Sequence, residues 1–318
     1  MSAAAIQTAG LAKEYVVGNL KRRKVLALQG LDLTIEPGQV FGLLGPNGAG
    51  KSTTIKLLLN LIRPTRGSAT LFGEAPSSAA ARRMVGYLPE NPAPYEYLSG
   101  AEFVTLGAQL AGERGPGLKK RVDEAIERVG MTHARDLQIR RYSKGMIQRI
   151  SLASAMVSDP RLLILDEPTS GLDVLGRQLI RDVIVEQRRR GTTVLFCSHI
   201  IPDVEALCDR VAVLIGGALV KEGRVVELLK QDDAQLEATV EGLSAEALER
   251  LRPKLSACDP LEGRHLVRFE QHLDAEVLRA VLDAGGRLTQ LRRTRFSLED
   301  LFIKALKESG RSVGSQIS

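Results

Sequence analysis

The chain has 318 residues, 44% hydrophobic and 26% charged, values that exclude a disordered or fibrous chain and, at about 150 residues per domain, point to two domains. Aromatic residues make up only 4% and Trp is absent, which argues against a surface built to stack bases or sugars. The net charge of +6 is uneven: residues 1–200 carry 27 Lys and Arg against 18 Asp and Glu, and residues 201–318 carry 17 against 20, so a phosphate-rich partner is expected of the first part.

Cys197, Cys208 and Cys258 lack CxxC spacing; they imply neither a disulfide framework nor a zinc site, and fit a reducing compartment. The opening MSAAAIQTAG lacks the charged and apolar regions of a signal peptide. The longest apolar run, residues 211–220 with two interrupting glycines, falls short of the ~20 residues that cross a bilayer. A role at a membrane therefore requires a partner.

In chain order, Lys21-Arg22-Arg23-Lys24 reads as the solvated tip of a hairpin, with contact to anionic lipid headgroups as the sharper alternative. Residues 31–36 (LDLTIE) alternate like a half-buried strand that ends at the Pro37-Gly38 turn. Val40 to Leu44 is an apolar run typical of a strand buried on both faces. It leads straight into Gly45, Pro46, Asn47, Gly48, Ala49, Gly50, Lys51, Ser52 and Thr53, then a helical stretch to Asn60. This is GxxxxGK[ST] between a strand and a helix, a phosphate-binding loop. Its glycines let successive N–H groups point inward at phosphate oxygens, and the helix adds its positive end. Lys51 would reach the β- and γ-phosphates of a nucleotide, and the Ser52 hydroxyl would bind Mg²⁺.

Residues 91–98 (NPAPYEYL) hold two prolines and two tyrosines, and Ser99 with Glu102 forms a capping box that opens a helical region reaching about residue 158. Inside it, Tyr142-Ser143-Lys144-Gly145-Met146 precedes an apolar helix over 147–157. Ser143 is a good N-cap and Gly145 leaves the first-turn N–H groups open, so this helix start is either a capped helix and nothing more or a second phosphate site. One nucleotide cannot easily use both phosphate sites of one chain. Arg161 to Pro168 (RLLILDEP) reads as a buried strand that ends in two carboxylates at the ligand-binding edge of a parallel sheet. Asp166 is expected in a Mg²⁺ shell, and Glu167 is expected to polarise an attacking water. Arg188-Arg189-Arg190 before Gly191 is an ordinary helix end. Thr192 to Ser198 is strand-like, and His199 follows it.

Beyond Leu236 the pattern changes to strand 236–241, helix 245–255, strand 266–269, a helix capped by Asp274 and ended by Gly285-Gly286, strand 288–291, and a last helix capped by Ser297 and ending at Leu306. This is a small α+β domain without a catalytic cluster. Its His265 and His272 have no metal-ligand companions and read as surface residues.

The ordered set GPNGAGKST, YSKGM, LLILDEP, Ser170-Gly171-Leu172-Asp173 and His199 resembles the nucleotide-binding subunit of ATP-binding cassette (ABC) transporters, over roughly residues 5–230. The resemblance implies an α/β P-loop NTPase core with an antiparallel β subdomain and an inserted helical lobe (about 92–158) within residues 1–232. A small α+β domain at 236–308 and a flexible tail at 309–318 complete the expected organisation. It also implies a head-to-tail pair of subunits, most simply a homodimer, that binds and hydrolyses ATP with Mg²⁺. Each phosphate loop then faces the other chain's signature helix, which accounts for the second phosphate site.

Carried over to this chain, Ser143 and Gly145 would contact the γ-phosphate held by the opposite subunit, Asp173 would sit at the seam, and His199 would orient Glu167 and the water. Tyr15 matches the aromatic that stacks on adenine. The signature departs from its familiar form at Lys144 and Met146. The loop that usually supplies a glutamine to the metal reads Gly86 to Glu90, so Glu90, an acceptor only, takes its place. Both variants resemble the branch that energises two-subunit exporters. A separate integral membrane permease is expected to dock between core and lobe, with Tyr95 and Tyr97 as contact candidates, and to hold the chain at the cytoplasmic face of the membrane. The terminal segment Arg295 to Phe302 resembles the last-helix start of exporter-type subunits. The rival expectation is a soluble ABC ATPase acting on ribosomes or nucleic acid. A single phosphate loop and the lack of a long coiled coil count against it, so no nucleic-acid partner is expected.

Overall fold

A computed structural model describes residues 3–18, 23–229, 235–294 and 297–308. Lys21 and Arg22 of the basic run, Arg295 and Phe296, and the expected flexible tail lie outside the described residues. Two compact units divide the chain, the larger built on Met1–Val225 and the smaller on Val226–Lys304.

The larger unit begins with β1 (Ile6–Val17) and β2 (Arg23–Ile35), a long antiparallel hairpin. The strand expected over 31–36 is thus the end of a much longer one, because only its last turns bury alternate residues against a core. β3 (Val40–Leu44), buried at every position, feeds α1 (Lys51–Leu58). β4 (Arg66–Leu71) pairs with β1 and completes a three-stranded antiparallel sheet, β2-β1-β4. After α2 (Ala79–Arg83), β5 (Val85–Leu88) leads into the helical lobe of α3 (Gly100–Leu110), α4 (Leu118–Arg128) and α5 (Lys144–Met156). The capping box is present at α3: Ser99 Oγ accepts from Glu102 N at 3.2 Å, and Glu102 Oε2 accepts from Ser99 N at 2.8 Å. These bonds hold the Glu102 carboxyl below its usual pKa.

The chain then returns to the core through β6 (Leu162–Asp166), α6 (Val174–Arg189), β7 (Thr193–Ser198), α7 (Ile201–Leu207), β8 (Arg210–Ile215) and β9 (Ala218–Arg224). The second sheet runs β5-β6-β7-β3-β8-β9, parallel except for β9. Its continuous aliphatic strands are the signature of a sheet covered on both faces. Phe41, Leu43, Leu162, Ile164 and Leu195 share one core with Ile55 and Leu58 of α1 and with Ile6, Leu28 and Leu33 of the antiparallel sheet. Because β3, β6 and β7 are parallel neighbours, the loops that follow them open on the same edge.

Past α8 (Val225–Leu228), the smaller unit is β10 (Gln235–Glu241), α9 (Ala245–Leu251), β11 (Ala257–Leu261), β12 (Arg264–Glu270), α10 (Asp274–Asp283), β13 (Arg287–Thr294) and α11 (Leu298–Glu308) as far as Lys304. Its sheet order is β11-β12-β10-β13, antiparallel throughout. Strand β11 was not visible in the pattern: Pro260 interrupts it, which an edge strand tolerates. Helix α9 stops four residues earlier than expected, and Pro253 lies in the 3-10 turn that follows. Leu273, and not Asp274, occupies the N-cap of α10; the Asp274 carboxylate instead accepts from Ala275 N at 2.5 Å.

Candidate active site

The loop after β3 is shaped by contacts that admit no side chain. A Cβ on Gly45 would lie 2.5 Å from the Leu214 carbonyl oxygen, and Gly50, the N-cap of α1, has φ +108° with the Ala27 carbonyl 2.8 Å from where its Cβ would be. Glycine alone meets both demands. Ala49 and Gly50 are buried while Asn47, Gly48 and Ser52 are exposed, and Pro46 and Thr53 are half-buried. Lys51, the first residue of α1, is buried and curls back so that Nζ donates to the Gly45 carbonyl at 2.5 Å. It also stands 3.6 Å from Glu167 Oε1.

The loops after β6 and β7 close the other side. Glu167, 6% exposed, adopts φ +49°, a strained left-handed backbone for a residue with a Cβ. Glu167 N donates to the Cys197 carbonyl at 2.9 Å, which holds this conformation against β7. Glu167 Oε2 faces three donors: His199 Nδ1 at 2.8 Å, His199 N at 3.2 Å and Ser198 Oγ at 3.3 Å. An ionised carboxylate only accepts, so the imidazole proton belongs on Nδ1. Asp166, also 6% exposed, has its pKa pushed up to about 6, by burial first and then by the Glu167 and Glu90 carboxylates, with Lys51 opposing. The same burial, with Asp166 and Glu90 as neighbours, pushes the Tyr87 phenol up to about 12.

Asp166 Oδ1 is buried and lacks a hydrogen-bond partner among the described residues. An orphaned carboxylate oxygen amid other carboxylates, with Ser52 following in the chain the Lys51 that stands beside Glu167, is a hard-oxygen donor set that fits Mg²⁺. Among the described residues no group of three or more His, Cys, Asp and Glu side chains gathers into a site of its own. Mg²⁺ commonly takes one or two carboxylates and completes its shell with water and phosphate.

The remaining expected residues lie elsewhere. Ser143 caps α5 by accepting from Met146 N at 3.3 Å, and Asp173 caps α6 by accepting from Gly176 N at 2.7 Å. The two caps are neighbours: a Cβ on Gly145 would stand 3.5 Å from the Leu172 side chain, and Lys144 Nζ lies 2.9 Å from where a Gly171 Cβ would be. Tyr15, half-buried on β1, has Lys13 Nζ 5.3 Å above its ring. Tyr15 pairs with Val25, two residues along β2 from the Ala27 that abuts Gly50. Glu90 is exposed after β5.

Beside it, a groove of about 410 Å³ runs between β5 and the lobe, walled by Tyr87, Pro89, Pro92, Pro94, Phe103 and Leu110 among others. Tyr95 and Tyr97 project outward at 69% and 78% exposure. Three side chains that sequence patterns did not single out complete the picture. Ser198 donates to Glu167; Gln148 of α5, 2% exposed, donates to the Pro168 carbonyl at 3.3 Å; and Asp203 of α7 is fully buried. A carboxylate inside the otherwise apolar run Ile201-Pro202-Asp203-Val204 was the available signal, since a buried charge requires a partner.

Residues 28–170 match the family model of the ABC transporter. The chain is 40% identical over 312 residues to an uncharacterised ABC transporter ATP-binding protein of Nostoc sp., a match spanning 97% of this chain and 91% of the relative. It is 35% identical to the Nod factor export ATP-binding protein I of Cupriavidus metallidurans, over 88% of this chain and 92% of that one. Among solved structures, an ATP-binding subunit of an ABC transporter superposes with a TM-score of 0.64 at 28% identity, covering 71% of this chain and 92% of the other.

Proposed function

Because the chain belongs to the ABC transporter family and is an ATP hydrolase of its nucleotide-binding type, we propose that it works as a head-to-tail homodimer that drives a separate membrane permease, with export as the direction. The observation that carries the hydrolytic core of this reading is the convergence of Lys51, Asp166, Glu167 and His199 on one edge of a parallel sheet, where open α/β folds bind ligands.

In this reading the N–H groups of Gly45 to Thr53 cradle the phosphates of ATP and Lys51 exchanges part of its contact with Glu167 for the β- and γ-phosphates. Ser52, Asp166 and Glu90 would hold Mg²⁺, which when bound offsets charge that builds on the phosphoryl oxygens. Glu167 accepts the proton of the attacking water, and His199 fixes the carboxylate through Nδ1 while its exposed ring edge faces the nucleotide. Tyr15 stacks on the adenine once the Lys13 ammonium yields its face. Ser143, Gly145 and Asp173, at two adjacent helix starts, are placed to meet the γ-phosphate of the second subunit, where backbone N–H groups and helix dipoles favour an anion.

The groove beside β5 suits a short amphipathic helix of the permease, because proline, aliphatic and aromatic side chains line it together with Arg82, Ser151, Ser154 and Ser158. The exposure of Tyr95 and Tyr97 supports a contact role over packing of the lobe, and anionic lipid beside the basic hairpin is a secondary contact. The described residues contain no helix long and apolar enough to cross a membrane, so attachment to the cytoplasmic face runs through the permease. The exporter direction draws support from the relative whose name specifies export.

Glu167→Gln tests this reading. The variant keeps ATP binding, elutes as a dimer when ATP and Mg²⁺ are present, and loses turnover by 10²-fold or more, in the range of a lost general base. Turnover at the parent's rate refutes the assignment of Glu167, and a monomer under all nucleotide conditions refutes the paired arrangement.

A further inference from the structure

Asp203 lies on α7, four residues after His199, and none of it is accessible to solvent. Its neighbours on the inner side of that helix, Val204 and Leu207, are apolar and buried. For folding alone an aliphatic side chain would serve as well at such a position, since a buried ion pair often contributes less than the apolar residues that could replace it. What the carboxylate supplies is direction. Asp203 Oδ2 accepts from Thr169 Oγ1 at 2.7 Å, and Oδ1 accepts from Arg181 Nε of α6 at 3.1 Å. Thr169 is itself fully buried.

Thr169 stands two residues after Glu167, and Asp203 four residues after His199. The Thr169–Asp203 bond therefore joins the same two segments that the Glu167–His199 bond joins at 2.8 Å. The two bonds close a ring of short chain segments around the catalytic pair. Inside that ring Pro168 has no N–H with which to anchor itself, and its carbonyl is held by Gln148 from the opposite side. Glu167 takes a strained φ of +49°, a conformation that persists only where surrounding contacts over-determine it. Between β7 and the first turn of α7 the ring is stiffened by Ile200 N donating to Ser198 Oγ at 3.0 Å and by Asp203 N donating to the Ile200 carbonyl at 3.1 Å.

We infer that Thr169, Asp203 and Arg181 form a buried clamp that positions Glu167 against His199 for hydrolysis. Thr169 and Asp203 are positioning residues: they act through the Glu167–His199 pair and touch neither nucleotide nor water. The inference rests on the hydrolytic reading of that pair given above. Supporting residues of this kind, which fix the orientation of a reacting group, change rates by about 10–100-fold when removed, on the scale known from outer-shell ligands of metal sites.

The test uses the full chain and three readouts: steady-state ATP hydrolysis, ATP affinity by calorimetric titration, and the melting temperature. Thr169→Val, of the same shape without the donor, lowers kcat tenfold or more with ATP affinity within twofold of the parent, whereas Thr169→Ser, which keeps the donor, restores most of the rate. In a His199→Ala background Thr169→Val lowers the residual rate less than threefold, because the pair it serves is already broken. Parental kcat in Thr169→Val, equal loss in Thr169→Ser, or an undiminished tenfold loss in the His199→Ala background overturns the clamp. Should Thr169→Val not fold, Arg181→Lys, which keeps a charge beside Asp203 and loses the Nε bond, is expected to lower kcat threefold or more with unchanged ATP affinity; a parental kcat there overturns the clamp as well. If Glu167→Gln retains full turnover, the hydrolytic reading fails and the clamp with it. If Glu167→Gln is inactive and Thr169→Val is not, the clamp alone fails.

Discussion

Asp166 and Glu167 are consecutive, yet their surroundings assign them different work. Glu167 is surrounded by hydrogen-bonding and cationic groups, His199 at Nδ1 and N, Ser198 at Oγ and Lys51 on its other oxygen. Asp166 is enclosed with carboxylate neighbours, and burial lifts it from its usual 3.8 to about 6. A carboxyl whose pKa is raised in the folded state binds more protons there than in the unfolded chain, so stability falls as pH rises from about 4 through about 6 and stays lower above. Asp166→Asn should therefore abolish hydrolysis yet stabilise the ligand-free chain at pH 7.5 by on the order of 2 kcal/mol. In denaturant titrations across pH that gain should shrink to near zero at about pH 4. A variant no more stable than the parent at pH 7.5 would show that Asp166 is not held against its charge. The sequence motif located both carboxylates because they stand at the end of a buried strand, but their neighbours lie from 31 residues away at Ser198 to 116 away at Lys51 and carry no local pattern.

At the scale of elements, the inserted lobe is tied to the core along β5 and α5. Gly86 of β5 admits no side chain, since a Cβ would stand 2.0 Å from the Ala155 carbonyl of α5, and this close approach forms the floor of the groove. Helix α3 follows from its capping box and its buried Val104 and Ala108, while Leu110 at its end turns outward, 81% exposed, into the groove wall. In the proposed docking of a permease helix, this side chain would lie in the contact. Leu110→Glu should change the stability of the isolated chain by no more than about 0.5 kcal/mol and leave its basal ATPase rate intact. The fraction that co-sediments with membranes of its native cell should fall sharply. Unchanged co-sedimentation would remove the groove as the docking site. The helices of the lobe were legible from caps and periodicity, whereas the groove was expected only through the family resemblance, because it forms where α5 returns to pack on β5, a strand the chain left before α3.

Over the whole molecule the two units have separate hydrophobic cores, Phe41 and Leu195 with their neighbours in one, Phe269, Val240 and Val277 in the other. The smaller core is built from few side chains, and removal of one large member weighs heavily on it. Phe269→Ala is expected to cost the smaller unit about 3–5 kcal/mol, seen in calorimetry as an earlier separate transition, with ATP affinity unaltered. A single transition shifted as a whole would show that the units unfold together. The Glu237 carboxylate, 3% exposed in the middle of that unit's sheet, is held below its usual pKa by hydrogen bonds from Arg268 and Arg292 in opposition to burial. No pattern in the chain announced this, since the three residues are brought into one row only by strand register.

The sequence by itself determined the glycine-rich loop between β3 and α1, the carboxylates at the end of β6, the caps at Ser99, Ser143 and Ser244 and the change of architecture beyond residue 230. Each of these depends on residues a few positions apart, whose spacing maps directly onto backbone geometry. Only the tertiary structure decided that His199 Nδ1 meets Glu167, that Lys51 curls onto Gly45, that Asp203 reaches Thr169 and that a groove opens beside β5. Those contacts join segments whose proximity is set by the order of parallel strands, and burial then fixes what each side chain must bond.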